Sequence, residues 1–137
     1  MVRFILSKIN EKYGDMVLLI SRILVGMMFL LHGIQKFAGA QIPQTFSLFW
    51  WAGVIEIVVG SVLILGLFTR LSSLIGAIEM AVAYFKVHMP QGLSPLANGG
   101  ELAVLYFAIF LLLLSIGAGK LSIDNLMTKN EQLKKIL

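Results

Sequence analysis

MVLLISRILVGMMFLLHGIQKF, residues 16–37, decides the fold. A hydrocarbon core of about 30 Å takes roughly 17 to 25 helical residues to cross, and this run is long and apolar enough to do so. Its polar members are not scattered. At roughly 100° per residue, Arg22, Gly26, Phe29, Gly33 and Lys36 form one stripe, with His32 and Gln35 beside its far end. Charge aligned with glycine marks a helix that turns one stripe to neighbouring helices and the rest to lipid.

Working outward, three more segments read the same way: Phe49 to Phe68, Leu71 to His88 and Glu101 to Gly117. Breakers separate them, Pro43 in the first connection and Pro90, Pro95 and Gly99-Gly100 in the last, with only Thr69-Arg70 between the second and third. Glu79 and Lys86 lower the hydropathy of the third segment, which is the least apolar of the four. Over all 137 residues, 58% are hydrophobic and 13% charged, a balance that points to lipid rather than water as the solvent. The absence of cysteine excludes disulfides, thiolate nucleophiles and thiolate metal sites. The net charge of +4 is carried mainly by chain ends and connections, so membrane topology accounts for it and nucleic acid does not.

Orientation follows from those basic residues. With both termini inside, Arg3, Lys8, Lys12, Arg70, Lys120, Lys129, Lys134 and Lys135 lie on the inner side, against Lys36 and Lys86 near the outer face. Both basic tails then share one side, which requires an even number of spans. The predicted fold is all-α: a single domain, 1–137, forming an integral membrane four-helix bundle with spans at about 16–37, 49–68, 71–88 and 101–117. Its termini are cytoplasmic, in the plasma (cytoplasmic or inner) membrane of a prokaryote, and oligomers are compatible with it. No apolar run with a small-residue cleavage site precedes the first span, which is expected to stay as an anchor. Val2, Ile5, Leu6, Ile9 and Tyr13 share one helical face, and Leu126, Leu133, Ile136 and Leu137 accompany three lysines. Both tails are therefore predicted to be amphipathic segments on the inner leaflet or a cytoplasmic partner.

The candidate site gathers the charges that lipid should exclude. Gly53, Glu56 and Gly60 share a face of the second helix, Gly76, Glu79, Ala83 and Lys86 one of the third, and Glu101, Ala108 and Ser115 align on the fourth. Rising about 1.5 Å per residue places Glu56 and Glu79 near the midplane, His32 above them, and Gln35, Lys36, Lys86 and Glu101 at the outer rim. This describes a polar pocket open to the outer face, with His32, Gln35, Lys36, Glu56, Glu79, Lys86 and Glu101 as ligand-binding candidates. Two neighbouring carboxyls at one depth would suit proton handling; the alternative is that they are structural glue. Arg22 lies deep on the inner side with no carboxylate at its level, a structural or lipid-contacting charge that Asp124 folding back, or a lipid phosphate, could serve. His88 falls on the face opposite Glu79, near Pro90, which argues against a haem or metal held by the two histidines. Phe46, Phe49, Trp50 and Trp51 read as an interfacial aromatic belt, with a quinone-stacking platform as the other reading.

The stretches RILVGMMFLLHGIQKF from Arg22, GVIEIVVGSVLILGLFTR from Gly53 and NGGELAVLYFAIFLLLLSIGAGKLSID from Asn98 resemble the DoxX family of small prokaryotic membrane proteins. The resemblance runs from about Arg22 to Asp124 and rests on HGIQK, the Gly-Glu-Gly helix ending in GLFTR, and GGEL. It implies a four-helix membrane bundle and a link to respiratory chemistry, since some members accompany quinone-linked oxidoreductases and others oxidative-stress enzymes. It supplies no catalytic residue set. The expected function is therefore a subunit or accessory of a quinone-linked membrane oxidoreductase. This chain itself has no redox centre, cofactor motif or metal site, so quinone is the compatible ligand and a redox partner subunit is required. The alternative is a non-catalytic scaffold or assembly factor. Proton or solute transport ranks below both, because Arg22 is the only polarity the sequence reading finds in the inner half.

Overall fold

The computed structural model describes the backbone of residues 2–39 and 43–136 and the side chains of residues 13–39 and 43–130. Among them are five α-helices and no strand: α1 (Val2–Ala38), α2 (Leu48–Leu65), α3 (Thr69–Ala83), α4 (Glu101–Ile116) and α5 (Ile123–Ile136). Tyr13–Ala38, with 26 residues, and Leu48–Leu65, with 18, are long and apolar enough to cross a membrane; Glu101–Ile116 is a shorter apolar helix. The N-terminal stretch is not a separate interfacial element, because α1 runs unbroken from Val2. The amphipathic faces expected of the tails, at Val2, Ile5, Leu6, Ile9, Leu133, Ile136 and Leu137, lie outside the described side chains, as do the tail charges Arg3, Lys8, Lys12, Lys134 and Lys135.

Local chemistry sets the ends of the helices. Ser47 caps α2 by accepting the Trp50 N–H at 3.2 Å. Gly66 ends it in the left-handed conformation (φ 66°), where the Gly66 and Leu67 N–H groups return to Leu63 O and Val62 O. The chain re-enters a helix at Thr69 after only Leu67 and Phe68, which folds α3 back against α2. The third span was expected to reach His88 as one helix. Instead α3 ends at Ala83 and widens into a π-helical turn, Tyr84–His88, then a 3-10 turn, Met89–Gln91. Pro90 has no N–H with which to continue an α-helical ladder, and the widened turn lies immediately before it.

α1 packs chiefly on α2 and α3 on α4, while α2 joins the two pairs. The first contact is a backbone contact. A Cβ on Gly60 would stand 2.5 Å from Leu30 N and 2.6 Å from Gly26 O, and one on Gly33 would stand 2.7 Å from Gly53 O. Gly26 therefore faces Gly60 and Gly33 faces Gly53, with the same seven-residue spacing on both antiparallel helices. Between α3 and α4 the fit is ring into notch, since a Cβ on Gly76 would meet the Phe110 ring at 2.7 Å. Phe29, Tyr106 and Phe110 form the aromatic centre, with Phe29–Phe110 centroids 4.9 Å apart.

The outside and inside are inverted relative to a water-soluble protein. Leu24, Met28, Val58, Ile78 and Leu112 are exposed, whereas Arg22, Glu56, Thr69, Ser72, Ser73 and Glu79 are buried. One correction concerns α4. Glu101, Ala108 and Ser115 share a face as expected, but that face is exposed, and α4 buries Ala103, Tyr106, Phe110 and Leu113. The rings that fill the centre set the rotation of this helix, and its small residues are left outside.

Candidate functional site

The polar side chains form two groups at opposite ends. Toward the end holding Lys36 and the α3–α4 connection, Lys36 Nζ makes an ion pair with Glu56 Oε2. Gly53 lets α1 approach closely here, since the Phe37 ring occupies the space its own side chain would take and the Lys36 Cβ lies at van der Waals contact beside it. The ammonium also stands 5.3 Å from the centre of the Phe49 ring. The Lys36 side chain is 17% exposed and that of Glu56 6%, so the pair spans the edge of the interior.

Glu79 faces the same interior from α3, within electrostatic reach of Glu56 and Lys36. It is 9% exposed, and neither carboxyl oxygen has a hydrogen-bond partner within the protein. Tyr106 lies within reach of Glu56. Its ring meets that of His32 edge-on, with centroids 5.9 Å apart. His32 Nδ1 is 2.8 Å from Met28 O, so that nitrogen donates and Nε2 is left for another partner. Lys36, Glu56, Glu79, His32 and Tyr106 thus form one cluster. The other candidates do not join it. Gln35, Lys86 and Glu101 are exposed, and Lys86 borders an apolar groove of α3 and α4 with Ile78, Phe85 and Phe107.

At the opposite end Arg22 is 1% exposed and donates to Ala118 O and, at 2.9 Å, to Leu121 O. Its guanidinium lies against Gly66, where a Cβ would stand 2.7 Å from Cζ. Asp124 does fold back, but onto the start of α3: its oxygens accept the Phe68 N–H at 2.6 Å and the Thr69 N–H at 2.9 Å. Asp124 N–H in turn donates to Gly66 O at 2.9 Å, and Lys120 pairs with Asp15 at 3.2 Å. Arg22 is therefore held by backbone carbonyls, and Asp124 acts on it only at longer range.

A family model described as DoxX matches residues 17–89, more than half of the chain. The chain belongs to the DoxX family. An uncharacterized protein of Haemophilus influenzae is 46% identical over 125 residues, covering 84% of this chain and 93% of its own length. A second one from the same organism is 32% identical over 126 residues, covering 82% and 83%. No solved structure matches. In this DoxX protein the family match contains Arg22, Lys36, Glu56 and Glu79, while Tyr106 and Asp124 lie beyond it.

Sequence reading missed Tyr106, Thr69 and Ser73. Tyr106 is the only residue of α4 between Glu101 and Ser115 that carries a polar atom in its side chain, a signal available in principle. Thr69 and Ser73 are fully buried and their hydroxyls have no partner within the protein. Their burial corrects the expectation of an inner half whose only polar group is Arg22. Short hydroxyl side chains inside a helix are ordinarily silent, because they can bond to the carbonyl one turn back.

Proposed function

We propose that this DoxX protein crosses the membrane four times, with both termini on the cytoplasmic side of a prokaryotic plasma membrane. We further propose that it serves as a subunit or accessory of a quinone-linked membrane oxidoreductase. The four-span reading is supported by the inverted polarity of the molecule and by the spread of Lys and Arg between its ends. The observation that carries the functional reading is Glu79, a buried carboxyl with both oxygens unpartnered, beside a satisfied Lys36–Glu56 pair. Such a group costs stability unless a ligand or water satisfies it, so its presence points to a task.

A quinone head group needs hydrogen-bond donors at its oxygens and a proton source. Lys36 retains donors beyond the one given to Glu56, the Tyr106 hydroxyl can donate, and His32 Nε2, with Nδ1 donating to Met28 O, can accept from a quinol hydroxyl. Lys36 would orient the carbonyl and Glu79 would exchange the proton. The electrons come from a partner subunit carrying its own redox centre, which makes the chain a binding and proton-handling component. Titration of the full chain in lipid nanodiscs with short-chain ubiquinone and menaquinone analogues tests this. Saturable binding weakened by Lys36→Met and Glu79→Gln is expected. A folded chain that binds neither, and that brings no redox enzyme with it from native membranes, would overturn the reading.

One observation favours a second reading, a non-catalytic scaffold or assembly factor: the Lys36–Glu56 pair already satisfies both partners at a glycine-lined helix contact. On that reading Glu56→Gln and Glu79→Gln leave quinone-dependent activity of the assembled complex intact.

A further inference from the structure

Five buried side-chain polar atoms among the described residues have no partner within the protein: Arg22 Nε, Thr69 Oγ1, Ser73 Oγ and both oxygens of Glu79. Four of the five belong to the inward side of α3. The neighbouring hydroxyls behave differently. Ser72 donates to Phe68 O at 2.8 Å and Ser61 to Ile57 O at 2.7 Å, the usual return to the preceding turn. Thr69 and Ser73 make no such bond, so their hydroxyls keep both donor and acceptor capacity.

The Thr69 end of this set lies beneath a surface concavity. A cavity of about 710 Å³ opens beside the start of α3, lined by Thr69, Arg70, Ser122, Asp124, Asn125 and Thr128 among others. That volume and lining admit water. Along the helix axis Ser73 stands about 6 Å above Thr69, and Glu79 about 9 Å above Ser73. Beyond Glu79 lie Glu56, the partly exposed Lys36, Tyr106 and His32. Between Ser73 and Glu79 sits Gly76, and its notch is filled by the ring of Phe110, which is 0% exposed. Polar groups thus approach the packed centre from both ends, and there the Phe110 ring is seated on Gly76.

We infer that the inward side of α3 is a proton path running from the cavity at Asp124 and Thr69 through Ser73 to Glu79, closed in this conformation by Phe110. The inference shares Glu79 with the proposed quinone site and names the side from which its proton arrives. Protons enter at the mouth of the cavity beside Thr69 and Ser122. Arg22, buried near Asp124 and positively charged, keeps hydrated cations other than the proton from following. Opening requires that the Phe110 ring leave the Gly76 notch and that water enter the space it vacates, joining the groups on either side.

The experiment places the full chain in phosphatidylethanolamine–phosphatidylglycerol vesicles with an entrapped pH-sensitive dye, and drives protons with a potassium gradient and valinomycin. Phe110→Ala is expected to raise proton flux roughly tenfold or more over the native chain. In that background Ser73→Ala, Thr69→Val or Glu79→Gln should each return flux toward the native level. Phe110→Leu, which keeps an apolar core residue, gives the same ordering should the alanine variant fail to fold. Flux unchanged in a folded Phe110 variant overturns the inference, and so does an increase indifferent to Ser73 and Glu79, which would be a simple leak. Should neither Phe110 variant fold, the native chain decides, its flux falling with Ser73→Ala if the path exists and not otherwise. Quinone binding is measured on the Ser73→Ala chain in parallel. Flux that is present in the parent chain and lost in Ser73→Ala with binding retained assigns the path to protons alone, and a parent chain that binds quinone but carries no flux refutes the path while leaving the quinone site standing.

Discussion

The two ends of the molecule bury charge in opposite ways. Around Arg22 the buried charge is matched to backbone: the guanidinium donates to Ala118 O and Leu121 O, and Asp124 accepts from Phe68 and Thr69. These bonds tie α1, the α2–α3 turn and the start of α5 into one knot. Around Glu56 the charge is matched to a side chain, Lys36, and Glu79 is left over. A knot of backbone bonds has little reason to rearrange, because each partner is fixed by a helix end. A cluster holding an ion pair and a spare carboxyl has several arrangements of protons and partners close in energy. Buried charge thus serves architecture at one end and, in the proposed function, chemistry at the other.

The largest expected effect tests the architectural end. Arg22→Ala removes two charge-assisted hydrogen bonds, worth about 1.5–3 kcal/mol each, and leaves a void against Gly66. A loss of about 3 kcal/mol or more is expected in denaturant titrations followed by Trp50 and Trp51 fluorescence. Arg22→Lys should recover part of it. Native-like stability in the alanine variant would dissolve the contrast between the two ends.

Next in size come the glycines, which serve the two ends separately. Gly26→Ala and Gly33→Ala each press a methyl group onto the backbone of α2, at Gly60 O and Gly53 O, for about 1–3 kcal/mol of overpacking. Only Gly33 and Gly53 lie at the level of Lys36. Gly33→Ala should therefore weaken quinone-analogue binding as well as stability, and Gly26→Ala stability alone. Equal effects on binding would mean that the two levels are not independent.

The Lys36–Glu56 pair gives a smaller and more diagnostic effect. Lys36→Met or Glu56→Met alone strands a buried charge, while the double variant removes both, so the singles should each cost more than the double. Unfolding of all three against the native chain yields the coupling. Additive effects would show that the pair is not a pair in solution.

How much of this was legible beforehand depended on what each residue reports by itself. The stripe Arg22, Gly26, Phe29, Gly33 announced the buried face of α1, because a charge is expensive on a lipid-facing surface and the glycines fall in line with it, and all four are buried. The buried carboxyls Glu56 and Glu79 were found on the same grounds. Helix α4 misled, since Glu101, Ala108 and Ser115 align as neatly as the other stripes but face outward. A small residue on a helix is compatible with either side, and only the partners Gly76 and Phe29 decide which face carries the rings. Asp124 as a helix cap required knowing that the chain returns to the α2–α3 turn, a contact across more than fifty residues. The hydroxyls of Thr69 and Ser73 gave no signal at all, because what distinguishes them from Ser72 is the hydrogen bond they do not make.

The smallest expected effect on stability carries the most information about the chemical end. Glu79 has no partner to lose, so Glu79→Met replaces an unsatisfied buried carboxyl with an apolar chain of similar shape, a change that is nearly neutral or stabilising by up to about 1 kcal/mol. Every other buried charge in the molecule should behave oppositely. If Glu79→Met leaves the fold intact while abolishing quinone-analogue binding, the carboxyl is maintained for its chemistry at the expense of stability. A loss of several kcal/mol would instead mean that Glu79 has a partner in the membrane, and the cluster would then be a second knot of the kind that holds Arg22.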